Sequence, residues 1–355
     1  MDKSSSNKRI LLGMSGGTDS SVSALLMQKS GLEVIGATFV FSELEKQNQK
    51  NIKDAKQLAE ALNIKHHVID LQAEFKEKII KRFIQEYSEG KTPFPCAFCN
   101  PELKFKNLKQ LAAQYKCDFI ATGHYAIVAE DGGKKYISKG TDPEKDQSFF
   151  LWGLNEEIIN SLILPLGKLY KTQVRKMASE HGLSDYLAEK KDSTGICFIE
   201  GNNYRKYLND KGITAVEGNF VNRTGAVLGK HNGIINYTIG QRRGLGINLN
   251  KPVFVSEIRA AKNEIVLDEF NALFKTKIWI KNIHFVHFES IKHNVKYIVK
   301  IRYRLQETQC KINILDGNHA EIHLMEPVAM VANGQTAVIY KDNRVIGGGF
   351  IERSE

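Results

Sequence analysis

The sequence predicts an α/β protein: an N-terminal parallel sheet with helices on both faces, a small central β-rich domain, and a C-terminal β-barrel. Up to about residue 200, short apolar runs alternate with helical patterns, which is typical of strand–helix–strand units in a parallel sheet. Beyond that point the apolar runs are short and separated by frequent turn residues, which favours a small barrel or sandwich. We therefore expect domains at 1–203, 204–272 and 273–355.

The elements of the first domain follow from hydrophobic spacing. Arg9–Gly13 is an apolar run that predicts the first strand, and Gly31–Val40 predicts a turn followed by a second buried strand. Ile52–Leu62 carries apolar or small residues at helical spacing, which predicts a helix. The remaining predicted elements are the strand His67–Leu71, the helix Phe75–Tyr87 ended by Gly90, and the strand Asp118–Thr122.

The second half of the chain predicts mainly strands. A short helix is expected at Tyr204–Leu208 and a strand at Gly218–Val221, and a glycine-rich stretch spans 229–247. The predicted strands of the last domain are Tyr297–Tyr303, Gln309–Leu315, His319–Leu324, Ala337–Tyr340 and Val345–Ile351.

Composition limits the class of protein. The 355 residues carry a formal net charge of +10, which suggests a polyanionic partner. No apolar run is long enough to span a bilayer, and the polar N-terminus lacks the apolar stretch of a secretory signal. Five cysteines in such a chain do not suggest a secreted disulfide framework. We expect a cytoplasmic protein, with Cys117 and Cys310 as packed core thiols.

A glycine-rich turn follows the first strand. Met14-Ser15-Gly16-Gly17-Thr18-Asp19-Ser20 joins that strand to a helix start, so backbone amides and a helix N-terminus face an incoming anion. The turn lacks the Gly-Lys-Ser/Thr of an ATPase P-loop. It therefore suits gripping the pyrophosphate of ATP during cleavage to AMP. The structural alternative is an ordinary turn in which Asp19 or Ser20 caps the helix.

Two further segments place cysteines in unusual surroundings. In 92–101, three prolines predict an extended loop, and Cys99 would begin the next helix. The helix dipole and Lys104 would then lower the pKa of the Cys99 thiol. Cys96 and Cys99 also have the spacing of half a zinc site or a redox pair. Cys197 lies in a strand-like apolar run after Lys190–Gly195 and, with Cys99, could carry a persulfide and resolve it as a disulfide.

Together these segments resemble the tRNA-specific 2-thiouridylases over nearly the whole chain. The matching motifs are GMSGGTDSS, TPFPCAFCN, ATGHY, KDQSFFL, KKDSTGICFI, YTIGQRRGLGI, RYR and the C-terminal EPVA…GQTAVIY…GGG. The resemblance implies an ATP-pyrophosphatase (PP-loop, adenine nucleotide alpha hydrolase-like) first domain and two tRNA-binding β domains. It also implies ATP and Mg²⁺ as cofactors, a tRNA with a wobble uridine as partner, and a persulfide sulfur donor.

The resemblance also implies residue roles. Cys99 matches the nucleophile and Cys197 the persulfide carrier. Positions matching nucleotide contacts are Gly13, Met14, Ser15, Gly16, Gly17, Thr18, Asp19, Ser20, Phe39 and Gly123. Positions matching tRNA contacts are Phe94, Pro95, Cys96, His124, Lys145, Asp146, Gln147, Arg302, Tyr303 and Gln335.

Cys96 departs from the aspartate that many relatives carry at this position. An unperturbed thiol has a pKa of about 8.5 and is a poor acid or base at neutral pH. Cys96, Cys99 and Cys197 could instead hold an iron–sulfur cluster.

The expected reaction is adenylation of the uracil 2-carbonyl oxygen, followed by sulfur delivery from Cys197 and release of AMP. The stretch Lys275–Arg304 has eight Lys or Arg residues and one acid among interleaved aromatics, and it is interpreted as an RNA surface. Competing hypotheses are a small-molecule ATP pyrophosphatase and a catalytically silent RNA-binding protein.

Overall fold

The computed structural model describes residues 8–183, 195–287, 289, 291 and 295–355, without the side chain of Asn202. The predicted segment Lys190–Thr194 and the residues Phe288, Lys292 and His293 of the basic stretch lie outside this set. The chain divides into two compact units. The first unit holds 1–77, 96–198 and 343–346, and the second holds 78–95, 199–342 and 347–355.

The first unit is built on a five-stranded parallel sheet in the order β3-β2-β1-β4-β7. Its strands are β1 (Arg9–Gly13), β2 (Glu33–Val40), β3 (Lys65–Asp70), β4 (Phe119–Thr122) and β7 (Leu162–Ile163). The predicted parallel sheet is confirmed, although β3 begins two residues earlier than expected. An antiparallel hairpin, β5 (Ala126–Asp131) and β6 (Lys134–Lys139), follows β4, and Arg344 pairs with Ser138 beside it.

Helices cover both faces of this sheet. Ile10 and Leu12 point into a core formed with α1 (Thr18–Lys29), α2 (Glu45–Ala61) and α8 (Lys171–Glu180). Leu11 points to the opposite face, because successive strand side chains alternate, and it is also fully buried. The helix α6 (Phe105–Gln114) contacts β1 and β4. The other helices in chain order are α3 (Gln72–Phe75), α4 (Lys81–Ser88), α5 (Pro95–Cys99), α7 (Glu156–Ser161) and α9 (Tyr204–Asp210).

Two helical stretches contain a widened turn. A π-helical turn at Lys76–Ile80 joins α3 to α4, and a second at Asn100–Lys104 joins α5 to α6. The predicted extended loop at 92–101 is therefore wrong beyond Phe94. Pro95 occupies the first position of α5, where a missing N–H costs little, and Pro101 lies inside the second π turn.

The second unit contains two β assemblies. A four-stranded sheet has the order β10-β11-β8-β9, and a six-stranded barrel has the order β12-β15-β14-β13-β16-β17, closed by pairing of β12 with β17. The sheet strands are β8 (Gly218–Val221), β9 (Val227–His231), β10 (Phe254–Arg259) and β11 (Glu264–Asp268). The barrel strands are β12 (Lys275–Phe285), β13 (Tyr297–Lys300), β14 (Thr308–Ile314), β15 (His319–Val328), β16 (Thr336–Lys341) and β17 (Arg344–Ser354). The predicted central β-rich domain and C-terminal barrel are confirmed.

The barrel corrects two expectations about side chains. Phe285 and Tyr297 of the basic stretch are buried, and Arg353 covers the Trp279 ring at 3.6 Å from its centroid. Phe285 and Tyr297 therefore belong to the barrel core, whereas Trp279 is partly buried and alternates with the buried Ile278 and Ile280, which places it on the outer face of β12. Cys310 is a buried core thiol as predicted, whereas Cys117 precedes β4 and is only partly buried. Within the described ranges, we find no helix that is long and apolar enough to cross a membrane.

Candidate active site

The glycine-rich loop sits at the carboxyl end of the central strand β1. The Met14 amide donates to Ala37 of β2, and the Thr38 hydroxyl donates to the Met14 carbonyl at 2.8 Å. Gly16 has φ of +67°, and a Cβ there would lie 2.7 Å from the Asp54 Cβ and 2.8 Å from the Asn51 carbonyl oxygen. The loop therefore needs glycine both for its backbone conformation and for its contact with α2.

Gly17 is the N-cap residue of α1, and no side chain caps the helix. The Ser20 and Ser21 hydroxyls donate to the Gly17 carbonyl, and the Ser15 amide donates to Ser20 Oγ at 3.3 Å. The structural alternative, in which Asp19 or Ser20 caps the helix, is not what the structure shows, because the N-cap residue is Gly17 and no side chain makes the capping bond. This uncapped N-terminus, whose first amides lack intrahelical acceptors, suits an anion.

Asp19 instead has partners that lie far away in the chain. Lys171 Nζ donates to both Asp19 carboxylate oxygens at 2.7 and 2.9 Å, and the Tyr125 hydroxyl donates to one of them at 2.6 Å. Neither Lys171 nor Tyr125 was identified from the sequence. Lys171 opens α8 with a helical pattern of its own, so no local signal connects it with the loop.

A row of aromatic side chains leads from the loop side of the sheet towards Cys197. Phe39 lies 5.7 Å from Phe41, Phe41 lies 5.4 Å from Phe75, and Phe75 lies 5.4 Å from Phe198, centroid to centroid. Phe198 directly follows Cys197 in the chain. The aromatic row thus connects the predicted nucleotide contact Phe39 with Phe198, the sequence neighbour of the predicted persulfide carrier. Gly123, at the end of β4, is also close to the loop, since a Cβ there would lie 3.1 Å from Asp19 backbone carbon.

The thiols lie in a helical context that differs from the prediction. Cys99 is the last residue of α5 and runs directly into the π turn, so it is not at a helix start. Cys197 lies in a turn and is exposed, so the predicted strand-like run is wrong. Cys197, Cys96 and Lys104 all influence the pKa of the Cys99 thiol electrostatically, so these four groups lie near one another.

Burial dominates the chemistry of these thiols. Loss of hydration, with a further contribution from Cys197, raises the pKa of the Cys99 thiol, although Lys104 opposes the shift. Burial also raises the pKa of the Cys96 thiol. The Cys197 residue exposes surface to solvent, but protein atoms crowd its thiol, and this raises its pKa to about 12. The expected lowering of the Cys99 pKa is therefore wrong, because one lysine does not outweigh desolvation.

The raised pKa of the Cys197 thiol predicts how it reacts with an alkylating agent. Because the thiolate is the nucleophile, we expect the alkylation rate of Cys197 by iodoacetamide to rise about tenfold per pH unit from pH 7 to 9. The rate of an unstructured peptide spanning Cys197 should level off near its thiol pKa of about 8.5. Mass spectrometry of the labelled site at each pH provides the measurement. Levelling of the Cys197 rate below pH 9 in the folded protein would contradict the assignment.

The thiols of Cys96, Cys99 and Cys197 are the predicted ligands of an iron–sulfur cluster. Across 8–183, 195–287, 289, 291 and 295–355, no group of three or more His, Cys, Asp or Glu side chains is arranged to hold a metal ion. Cys96, Cys99 and Cys197 therefore do not present a formed cluster site in this structure.

His124 follows β4, and the loop 145–147 is hydrogen-bonded to the backbone of the next residue, Tyr125. His124 Nδ1 lies 2.7 Å from the Thr122 hydroxyl, and burial, with Lys104, holds the His124 pKa well below its usual range. A neutral imidazole at this position suits hydrogen bonding better than proton donation. The Asp146 carboxylate is buried and accepts from the Gly140 and Ser148 amides, while Gln147 Oε1 accepts from the Tyr125 amide. Asp146 and Gln147 thus organise this loop.

In the second unit, the predicted tRNA contact Gln335 bonds to Thr92, two residues before the predicted contact Phe94. Gln335 Nε2 donates to the Thr92 carbonyl at 2.9 Å, and the Thr92 amide donates to the Asn333 carbonyl at 2.8 Å. These two hydrogen bonds attach Thr92 to the barrel loop that carries Gln335. Thr92 lies two residues before Phe94, which is half-buried. The structure brings these residues together although they are 243 positions apart in sequence.

Arg302 also lies in the second unit and is only partly satisfied. Its Nη2 donates to the Ile239 carbonyl at 3.4 Å, its Nε is buried without a hydrogen-bond partner among the described residues, and burial lowers its pKa. A guanidinium with unused donors suits a phosphate oxygen. Tyr303, the next residue, lies under Lys300, whose Nζ is 5.8 Å from the ring centroid.

Comparisons with known proteins cover the whole chain. Family models match the tRNA methyl transferase HUP domain at 8–201, the tRNA methyl transferase PRC-barrel domain at 205–268, and the aminomethyltransferase beta-barrel domain at 275–351. The tRNA-specific 2-thiouridylase MnmA 2 of Phocaeicola vulgatus is 43% identical over 99% of this chain and 100% of its own length. The tRNA-specific 2-thiouridylase MnmA of Clostridium beijerinckii is 38% identical over 97% of this chain and 99% of its own. A solved 4-thiouridine synthetase–RNA complex with bound ATP matches with a TM-score of 0.36 and 18% identity, over 57% of this chain and 50% of that one.

Proposed function

The chain belongs to the tRNA-specific 2-thiouridylase family, and from this premise we propose that it thiolates the 2-position of the wobble uridine of tRNA at the expense of ATP. The observation that carries the proposal is the combination found in the first unit. The first unit contains the N-terminus of α1, which no side chain caps and which follows β1. The same unit contains the free thiols of Cys99 and Cys197, which interact electrostatically. Anion binding and sulfur chemistry are the two capacities that the reaction requires.

The first step activates the uracil. Its 2-carbonyl oxygen attacks the α-phosphate of ATP, pyrophosphate leaves, and the oxygen becomes part of an AMP leaving group. The loop Gly13–Ser20 holds the departing pyrophosphate through its amides. Mg²⁺, when bound, neutralises phosphate charge, and the Asp19 carboxylate offers the hard oxygen ligands that this ion prefers.

The second step replaces oxygen by sulfur. A persulfide on Cys197 supplies its outer sulfur to the activated carbon, and AMP leaves with the original oxygen. Either the outer sulfur attacks the carbon directly and Cys99 then attacks the Cys197 sulfur to break the S–S bond, or Cys99 first attacks the Cys197 sulfur and releases sulfide within the pocket. Either route leaves a Cys99–Cys197 disulfide that an external reductant must open. The persulfide itself comes from a donor protein or relay.

The tRNA contacts proposed for this reaction follow the residues described above. Phe94, Pro95 and Cys96 are proposed as contacts of the target base, and His124 is proposed as a neutral hydrogen-bonding group for the tRNA. Arg302 is proposed as a backbone phosphate contact, supported by its buried and partly unpaired guanidinium. The remaining proposed contacts are Lys145, Asp146, Gln147, Tyr303 and Gln335. The domain boundaries 203/204 and 272/273 are part of the proposal.

Thiolation of a tRNA in vitro tests this function. Reduced protein is incubated with ATP, MgCl₂, a persulfide donor and an unmodified tRNA carrying a wobble uridine, and nucleosides are analysed by mass spectrometry beside AMP release. We expect 2-thiouridine and AMP in equal amounts, with little AMP when the tRNA is omitted. A matched tRNA with cytidine at the wobble position serves as control. AMP formation without 2-thiouridine would favour a small-molecule pyrophosphatase, and no AMP at all would favour a silent RNA-binding protein.

A further inference from the structure

Three phenylalanine side chains form a contiguous group on the four-stranded sheet of the second unit. Phe254 begins the edge strand β10, Phe270 begins the short 3₁₀ turn after β11, and Phe274 directly precedes β12. The centroids of the Phe254 and Phe270 rings are 5.3 Å apart, and those of Phe270 and Phe274 are 5.4 Å apart. Phe270 and Phe274 are each 43% exposed. Single exposed apolar side chains are common, whereas a contiguous group such as this phenylalanine cluster indicates a binding surface.

A glycine-rich loop beside the phenylalanine cluster borders a cavity. The cavity has a volume of about 430 Å³, within the range of ligand pockets, and is lined by residues 242, 244–249 and 251–253. The guanidinium carbon of Arg242 lies 6.0 Å from the Phe254 ring centroid. Lys251, on the same loop, donates to Glu269 Oε1 at 2.6 Å, and Glu269 precedes Phe270. The loop and the phenylalanine cluster therefore form one surface.

Two arginines give this surface an available positive charge. Arg242 and Arg243 are both exposed, and in the described part of the chain neither guanidinium forms an ion pair. The neighbouring acids already have cationic partners: Glu269 is paired with the loop lysine, and Arg223 Nε lies 3.7 Å from Asp268 Oδ2. Exposed ring faces and two guanidinium groups are thus available to a ligand.

This combination of groups matches an unpaired nucleotide of RNA. Every base has a π face that stacks on an aromatic side chain, and arginine binds phosphate oxygens or stacks on bases. A duplex keeps its bases in its own stack and presents mainly phosphates and sugars. An apolar protein surface would bury Arg242 without a counter-charge, which costs free energy, whereas a phosphate supplies that charge. The surface therefore favours single-stranded RNA.

We propose that this surface binds an unpaired nucleotide of the tRNA, with the phenylalanine cluster stacking on its base and with Arg242 and Arg243 binding the adjacent phosphates. The site adds to the tRNA contacts proposed above, none of which is a phenylalanine of this cluster. It also explains why apolar rings lie exposed beside arginines. This inference rests on tRNA as the proposed substrate, but not on the use of ATP or on the sulfur steps.

Equilibrium binding of a labelled tRNA tests the stacking role. Fluorescence anisotropy gives the Kd of an unmodified tRNA with a wobble uridine for the full-length protein, over a salt series from about 50 to 200 mM. For the double variant Phe270→Leu/Phe274→Leu we expect the affinity to fall about fivefold or more at every salt concentration, because leucine is apolar but has no π face. Phe270→Trp/Phe274→Trp should stay within about twofold of the wild-type affinity, since indole rings also stack on bases. Neither double variant should change the slope of log Kd against log salt.

The arginines are expected to act through charge. Arg242→Gln/Arg243→Gln should weaken tRNA binding and reduce the salt slope by about one unit for each phosphate contact that is lost. Val227→Ala is the matched control, because Val227 is 63% exposed in β9, at the opposite edge of the same sheet. We expect its Kd and slope to equal those of the wild type. Equal affinities of the leucine and tryptophan variants, an unchanged slope in the arginine variant, or an equal loss in Val227→Ala would overturn the proposal.

A second copy of the chain is the rival occupant of this surface. Light scattering measures the molar mass of the wild-type protein and of Phe270→Leu/Phe274→Leu at the same concentration. We expect equal masses, since the proposed occupant is RNA. A lower mass of the leucine variant together with wild-type tRNA affinity would show that the surface joins two protein chains and that the proposal is wrong.

The two proposals fail in different ways. If the wild-type protein binds the tRNA with the expected leucine and arginine effects but does not thiolate it, only the proposed function is wrong. If it thiolates the tRNA while Phe270→Leu/Phe274→Leu keeps the wild-type affinity, only the nucleotide site is wrong. If the wild-type protein does not bind the tRNA, both are wrong.

Discussion

Replacing Cys99 or Cys197 by serine is expected to abolish tRNA thiolation, lowering the rate by on the order of a thousandfold or more. A hydroxyl neither carries a persulfide nor reduces one, so either change stops sulfur delivery after the uracil has been adenylated. ATP affinity should remain within about twofold of the wild-type value, because neither thiol belongs to the glycine-rich loop. The measurement is 2-thiouridine per tRNA by mass spectrometry, beside an ATP titration.

Cys117→Ser is the matched control for these two variants. Cys117 is partly buried before β4, and its Sγ lies 3.9 Å from the Tyr115 carbonyl oxygen, a contact that serine can also make. We expect full thiolation by this variant. Near-normal turnover of the Cys99 or Cys197 variant with a persulfide donor would show that the thiol assignment is wrong.

Gly16→Ala is expected to weaken ATP binding by about a hundredfold, or roughly 2.8 kcal/mol. Its φ of +67° is unfavourable for alanine, and the new Cβ would meet Asp54 Cβ at 2.7 Å and the Asn51 carbonyl oxygen at 2.8 Å. Since α2 is packed in the core, the loop itself has to shift, and its amides then lose their alignment on the phosphates. Calorimetric titration with ATP measures the loss.

Gly31→Ala separates this steric effect from the cost of the backbone conformation alone. Gly31 follows α1 with φ of +81°, and a Cβ there would have nothing within 4 Å. We expect it to lose about 1–2 kcal/mol of folding free energy while keeping its ATP affinity. Equal ATP affinities for the Gly16 and Gly31 variants would refute the claim that close packing on α2 shapes the loop.

Much of the first unit is predictable because the determining features are local. Arg9–Gly13 and Glu33–Val40 are short, largely apolar runs bounded by turn residues, and their length and composition favour buried strands. The prediction of an extended loop at 92–101 was wrong where two local signals compete. Three prolines suggested an extended segment, yet Pro95 starts a helix because the first helical position tolerates its missing N–H.

The thiols show a different limit of prediction from sequence. The sequence places Lys104 five residues after Cys99, which favours a lowered pKa, but hydration is not visible in a sequence. Burial of the Cys99 thiol depends on side chains contributed by several elements, and its cost exceeds the attraction of one lysine. The reactivity of this pair in the resting protein is therefore a property of packing.

The sequence by itself determined the class of the protein and the glycine-rich turn after the first strand, because glycine conformations and residue types are carried by adjacent positions. Only the tertiary structure decided which groups those features meet. It placed Lys171 and Tyr125 on Asp19, joined Gln335 to the proline segment, and removed the Cys99 thiol from water. Contacts between distant residues and the loss of hydration are created by folding, so no local pattern encodes them.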